Sequence, residues 1–142
     1  MVEILFTTRG GIRTFFGFEG DHEQVLEMAR SRLGLAATVL SRKKGTSSRE
    51  VRLGSISMGP NGEIIEGPWR DIEVVDRVGG GDAFAGGFLA GYVENSEDLA
   101  RAIALGSAAQ ALKHTMPGDF LAATRAEIEA ATLDTEGGVL QR

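Results

Sequence analysis

One stretch constrains this chain more than any other: Asp76-Arg77-Val78-Gly79-Gly80-Gly81-Asp82-Ala83-Phe84-Ala85-Gly86-Gly87-Phe88. An apolar run, Ile72 to Val75, stops where it begins. Three consecutive glycines follow, then small and apolar residues that read as a helix from Asp82 to Tyr92. A strand, a glycine turn and a helix start, in that order, form an anion-binding arrangement. The first N–H groups of a helix have no partner within it and carry the positive end of its dipole. Glycines let such groups line a concave nest with no Cβ in the way, so a branched side chain at Gly80 is expected to fill it. Asp82 stands at the mouth of the helix.

Two familiar phosphate loops are excluded. The P-loop pattern needs Lys after its last glycine, and none follows here; the dinucleotide pattern needs a third glycine where Phe84 stands. For the glycines alone, a tight turn before a buried helix remains an equal reading. The carboxylate shifts the balance. An acid beside an anion nest repels the anion unless chemistry requires it there, and a carboxylate next to a bound phosphate suits a base for a hydroxyl that attacks phosphorus.

Composition removes other classes. A net charge of −5 with no basic stripe argues against a nucleic-acid partner. The 142 residues predict one domain, large enough to bury a core. Cysteine is absent, which excludes a disulfide framework and thiolate metal sites. No apolar run approaches the ~20 residues of a membrane span and no signal-peptide pattern opens the chain, so a cytoplasmic protein without membrane contact is expected. Glycine makes up 20 of the 142 residues, against an average of ~7%, but falls in turns and one helix, not in a repeat.

Along the chain, the segments Glu3–Thr8 and Ile12–Phe16 flank Arg9-Gly10-Gly11, a pattern that fits a hairpin or a broken helix. Phe15, Phe16 and Phe18 read as core or interface. Asp21 with Gln24 is a capping-box variant, Val25, Met28, Ala29 and Leu33 follow at helical spacing, and Gly34 suits the position after the helix. Leu35–Ser41 reads as a buried parallel strand, from which Ser41, Arg42, Lys43 and Lys44 leave at its carboxyl edge. Glu50–Met58, the Gly59-Pro60-Asn61-Gly62 turn and Glu63–Glu66 predict an antiparallel hairpin. Trp69, the one tryptophan, is expected to cover apolar surface between strands. Asp71–Val75 is the strand leading into the glycines. Ser96 is expected to cap a helix from Glu97 to His114, whose Ala102, Gly106 and Ala109 face should touch the helix carrying Gly86, Gly87 and Gly91. Thr124 with Glu127 starts a last short helix. Residues 133–142 read as a flexible tail.

The central motif resembles the second signature of the ribokinase-like sugar kinases. Its Arg77 and Gly80, together with Ala111-Leu112-Lys113-His114-Thr115-Met116-Pro117-Gly118-Asp119-Phe120, are most similar to the 2-keto-3-deoxygluconate kinases within that group. The resemblance covers roughly Asp21 to Thr132. It implies an α/β fold: residues 1–142 as one partial domain, the parallel-sheet, nucleotide-binding C-terminal half of a sugar kinase, with an antiparallel hairpin. It further implies that a strand and a short helix occupy the first 18 residues, with Glu3 the one trace of an acidic motif, and that the chain starts near the middle of a full-length enzyme. The implied activity is ATP-dependent phosphorylation of 2-keto-3-deoxygluconate.

By resemblance, Asp82 is the catalytic base and contacts the sugar hydroxyl. Gly79, Gly80 and Gly81 offer N–H groups to the transferred phosphoryl. Ser41, Arg42, Gly79, Gly81, Ala109 and His114 contact ATP, and Asp119 lies near the sugar. Asp76 is where some members hold a monovalent cation, or else a structural strand-end residue. Mg²⁺ accompanies ATP. Plainer readings stand beside these: a basic surface loop for Arg42, a helix-end cation for His114, a turn residue for Asp119. The implied partners are a sugar acid and ATP, and self-association or a complementary N-terminal half that supplies the rest of the sugar pocket is expected. Two other functions compete: a non-catalytic nucleotide-binding or assembly module, and a kinase for another sugar. ATP binding without sugar turnover selects the first, and a substrate panel the second.

Overall fold

The computed structural model describes residues 3–45, 47 and 49–133. The elements run β1 (Ile4–Thr8), α1 (Arg9–Phe16), α2 (His22–Leu33), β2 (Ala37–Gly45), β3 (Glu50–Met58), β4 (Ile64–Glu66), β5 (Arg70–Glu73), α3 (Gly80–Glu94), α4 (Leu99–His114) and α5 (Arg125–Leu133). The expected tail lies outside the described residues, apart from Leu133, which ends α5. The sheet order is β1-β2-β3-β4, with β5 paired to β3. β1 and β2 are parallel, from Ile4 opposite Ala37 to Thr8 opposite Ser41. β3 runs antiparallel to both β4 and β5. This is the expected α/β fold with its hairpin, and β5 joins it antiparallel. The chain forms two compact units, one built on residues up to Arg42 with Ser55–Glu66, the other on Lys43–Gly54 with the residues from Gly67 onward.

In the first unit, the N-terminal hairpin reading gives way to a strand followed by a helix. β1 takes β2 as its partner, which leaves residues 12–16 free to coil. The Thr8 hydroxyl accepts from the Gly11 N–H at 3.0 Å and so caps α1. Phe18 is 6% exposed while Phe15 is 81% exposed, so the aromatic run divides between inside and outside. α2 forms as the spacing predicts: Asp21 accepts from Gln24 N–H, Gln24 returns the bond to Asp21 N–H, each 2.9 Å, and Gly34 ends the helix in the left-handed region. Val25, Leu26 and Ala29 pack against Ile12, Phe18, Leu35, Leu40, Ile56 and Met58. Each such large aliphatic side chain contributes about 1.5–3 kcal/mol by leaving water. On the outer face, Glu27 and Arg30 pair at 2.6 Å.

β2 is longer than its apolar run. Ser41, Arg42, Lys43 and Lys44 continue the strand to Gly45 instead of leaving it. The four residues Ala37–Leu40 are buried on both faces, and exposure rises from Ser41 onward. Backbone pairing thus carries the strand beyond the point where burial alone marked its end. β3 likewise changes character along its length: it alternates over Glu50–Leu53, then is buried on both sides through Met58.

In the second unit, Trp69 does cover a neighbour. Its ring lies on Gly54, where a Cβ would approach to 2.7 Å, and the Lys44 ammonium sits 4.7 Å from the ring centroid. α4 is the hub, with thirteen of its residues from Leu99 to His114 buried. Its cap is Asp98, accepting from Arg101 N–H at 2.9 Å, and not Ser96. α3 and α4 touch through small residues, as expected. A Cβ at Gly87 would meet the Leu105 carbonyl oxygen at 2.7 Å, one at Gly91 the Ala102 Cα at 2.9 Å, and one at Gly106 the Phe84 carbonyl oxygen at 2.8 Å. Gly86 differs: open space surrounds it, so no close approach accounts for it. Phe84, Phe88 and Tyr92 stack in succession along α3, with centroids 6.5 and 6.0 Å apart. α5 starts at the Thr124–Glu127 pair, where Thr124 N–H donates to the Glu127 carboxylate at 2.7 Å.

Candidate active site

The glycine turn is built where β5 has ended and α4 terminates. Val75 and Asp76 N–H groups both donate to the His114 carbonyl, at 2.8 and 3.3 Å, tying the turn to the end of α4. Asp76 then folds back. One carboxylate oxygen accepts from Val78 N–H and the other from Gly118 N–H, each at 3.0 Å. Those two backbone bonds, in that order, hold its carboxyl below the ordinary carboxylate range, with the Lys113 ammonium adding to the effect. Asp76 thus ties the residues before α3 to the loop after α4.

α3 starts two residues earlier than the apolar pattern suggests, at Gly80. Gly79 is its cap residue, with φ +77°, in the left-handed region that favours glycine. The first intrahelical bond is Ala83 N–H to Gly79 C=O, at 2.9 Å. The three glycines then separate in role. At Gly79 a Cβ would lie 1.7 Å from the Asp119 carbonyl oxygen, and at Gly80 it would lie 2.3 Å from the His114 ring. At Gly81 it would meet nothing within 4 Å. Two glycines thus permit close packing, and only Gly81 faces open space. A side chain at Gly80 would strike the His114 ring.

Asp82 follows in the first turn of α3 and is exposed, as is Gly81. No side chain caps this helix. Gly81 and Asp82, whose N–H groups precede the first intrahelical bond, are both exposed residues. Positive dipole end, open glycine and acid meet within two residues.

His114 lies beneath the turn, 8% exposed. Its Nδ1 is 2.8 Å from the Gln110 carbonyl, which assigns the proton of the neutral ring to Nδ1. Burial pushes its pKa below the usual histidine value, with the charges of Lys113, Arg77 and Lys43 acting the same way, against the Gln110 carbonyl. The buried ring packs against Gly80. Asp119 is exposed, and its backbone carbonyl packs on Gly79. Ala109 is fully buried with its methyl group facing Gly87. The second unit thus brings together Asp76, Gly79, Gly80, Gly81, Asp82, His114 and Asp119.

Ser41 and Arg42 belong to the first unit. There the Arg42 guanidinium donates to the Ser55 carbonyl at 2.8 Å and to Glu66 at 3.0 Å. The hydrogen bond from Arg42 holds the Glu66 carboxyl below its usual range. Sequence reasoning passed over Lys113, which is completely buried with its ammonium on the Met116 carbonyl at 3.2 Å. The helical spacing of Ala109, Leu112 and Met116 was the signal available for it.

The fold is α/β, and its α3 begins at an uncapped glycine with an acid in the first turn. The chain belongs to the pfkB family of carbohydrate kinases, whose model matches residues 1–124. A curated relative, the 2-dehydro-3-deoxygalactonokinase of Haloferax volcanii, is 28% identical over 138 residues, covering 97% of this chain and 40% of the relative. Among solved structures, the 2-dehydro-3-deoxygluconokinase of Thermotoga maritima superposes with a TM-score of 0.87 at 25% identity, over 93% of this chain and 41% of that one. A PfkB family carbohydrate kinase from Listeria grayi gives a TM-score of 0.80 at 22% identity, over 92% and 41%, and shows the fold alone. The chain therefore spans about two fifths of the length of these relatives. Among the described residues, no helix is long and apolar enough to cross a membrane.

Proposed function

We propose that this chain carries the phosphate site and the base of an ATP-dependent kinase acting on a 2-keto-3-deoxy sugar acid, the compound also written 2-dehydro-3-deoxy. The observation that carries the reading is the start of α3: an uncapped helix end with open space at Gly81 and an exposed carboxylate at Asp82. The N–H groups of Gly79, Gly81 and Asp82 are suited to the charge on the transferred phosphoryl group. Asp82 orients the terminal hydroxyl and takes its proton as that oxygen bonds to the γ-phosphorus. The bond from phosphorus to the β,γ-bridging oxygen breaks, and ADP leaves with that electron pair. A carboxylate is a weak base, which suffices when proton transfer is late in a loose transition state. Bound Mg²⁺ supplies charge neutralisation on the phosphates. Among the described residues no group of three His, Cys, Asp or Glu is placed to hold a metal. Asp119, exposed with its backbone carbonyl on Gly79, is the residue proposed to meet the sugar.

The gluconate or galactonate epimer is the finer question, since the two named relatives differ in it. ADP release is measured with each epimer and without sugar, alongside calorimetry with Mg-ATP. Weak Mg-ATP binding is expected of the chain alone, with sugar-dependent release slow or absent until a complementary N-terminal half is added. Binding with no sugar-dependent release even then selects the non-catalytic module instead. Where turnover is present, Asp82→Asn lowers kcat by about 10²–10⁴ with ATP affinity little changed. A kcat within about threefold of the parent removes Asp82 as the base.

A further inference from the structure

Two loops form the floor of the proposed phosphate site: Val75–Gly79, before α3, and Met116–Asp119, after α4. They are cross-braced. The His114 carbonyl accepts from Val75 and Asp76, the Asp76 carboxylate accepts from Gly118, and the Asp119 carbonyl packs on Gly79. Lys113 lies at the root of this brace, entirely buried, with its ammonium donating to the Met116 carbonyl. The same Met116–Asp119 turn donates from Gly118 to Asp76, so the brace runs on to the Val75–Gly79 loop. A buried ammonium is costly, and a methionine would fill the same stem with no charge to desolvate. The charge therefore acts on something that an apolar residue could not hold.

We infer that Lys113 is a positioning residue: its buried ammonium pins the Met116–Asp119 turn and, through Asp76, the Gly79 turn, fixing the spacing between the phosphate nest and Asp119. This rests on the proposed phosphate site, and the test separates the two. Lys113→Met, Asp76→Asn and the double variant are compared by amide hydrogen exchange and by Mg-ATP calorimetry. In a folded Lys113→Met, exchange at Gly118 and Val78 rises about tenfold or more, while the interior amides of α3 keep their protection. Affinity for Mg-ATP falls about tenfold. The double variant binds no more weakly than the weaker single one, because both changes break the same brace. Unchanged exchange at Gly118 and Val78 overturns the inference, as do additive losses of affinity. Faster exchange in a chain that never bound Mg-ATP leaves the brace standing and removes the phosphate reading. If Lys113→Met does not fold, Lys113→Gln keeps a donor for Met116 and drops only the charge, with the same expectations. If neither folds, Lys113 is a folding residue and the positioning role is lost.

Discussion

The starts of α2 and α3 answer the same physical problem in opposite ways. Both helices leave backbone N–H groups without partners in their first turn. At α2 the chain satisfies them itself, with Asp21 and Gln24 exchanging reciprocal bonds of 2.9 Å. At α3 a glycine cap in the left-handed region stands where such a side chain would be, and the donors remain open beside an exposed carboxylate. Side-chain oxygens also cap α1, α4 and α5, at Thr8, Asp98 and Thr124. A helix closed by its own residues is stabilised and has nothing to offer a ligand. The one without a side-chain cap gives up that stabilisation.

Substitutions can break this contrast, and the largest expected effect is at the α3 cap itself. Gly79→Ala demands a left-handed alanine and drives its Cβ into the Asp119 carbonyl. Backbone handedness and overpacking together should destabilise by about 2–4 kcal/mol, read as a shifted urea midpoint. A midpoint equal to the parent's would mean that the close approach to Asp119 is not real.

The next pair separates stability from binding. Asp21→Ala should cost about 1 kcal/mol and leave Mg-ATP affinity unchanged. Gly81→Val, at the open glycine, should do the reverse, keeping the fold and weakening Mg-ATP binding. A Gly81→Val chain that binds normally would move the nest away from the phosphates.

A smaller effect follows from His114. Its folded pKa is depressed by burial, so the unfolded chain binds the extra proton first as pH falls. Its contribution to stability is present above the ordinary histidine pKa of ~6.5 and is lost as pH drops through the folded value. The urea midpoint should therefore be higher at pH 7.5 than at pH 5.5, and His114→Gln should reduce that difference. An undiminished difference in the variant would assign the pH dependence to other groups.

The smallest effect is expected at Gly86. With open space around it and no positive φ, Gly86→Ala should stabilise by up to about 1 kcal/mol. Gly87→Ala, against the Leu105 carbonyl, should destabilise. Equal effects at the two neighbours would remove the distinction between an open and a packed face of α3.

The sequence by itself determined what depends on neighbours within one turn of chain. The Asp21–Gln24 box with Gly34, the Thr124–Glu127 pair, the turn before β4 and the strand–glycine–helix order all follow from such spacing, because their hydrogen bonds close over three or four residues. The same local chemistry made Asp82 legible as an acid at a helix mouth. Tertiary structure decided everything that needs a distant partner. It sorted three identical glycines into one under Asp119, one over His114 and one open, and it sorted Gly86 from Gly87. It extended β2 through its basic residues, because strand pairing continues where burial stops. It joined Asp76 to Gly118, and it buried Lys113 between loops. Glycine has no side chain to mark its neighbour, so only the packed fold shows what each one admits.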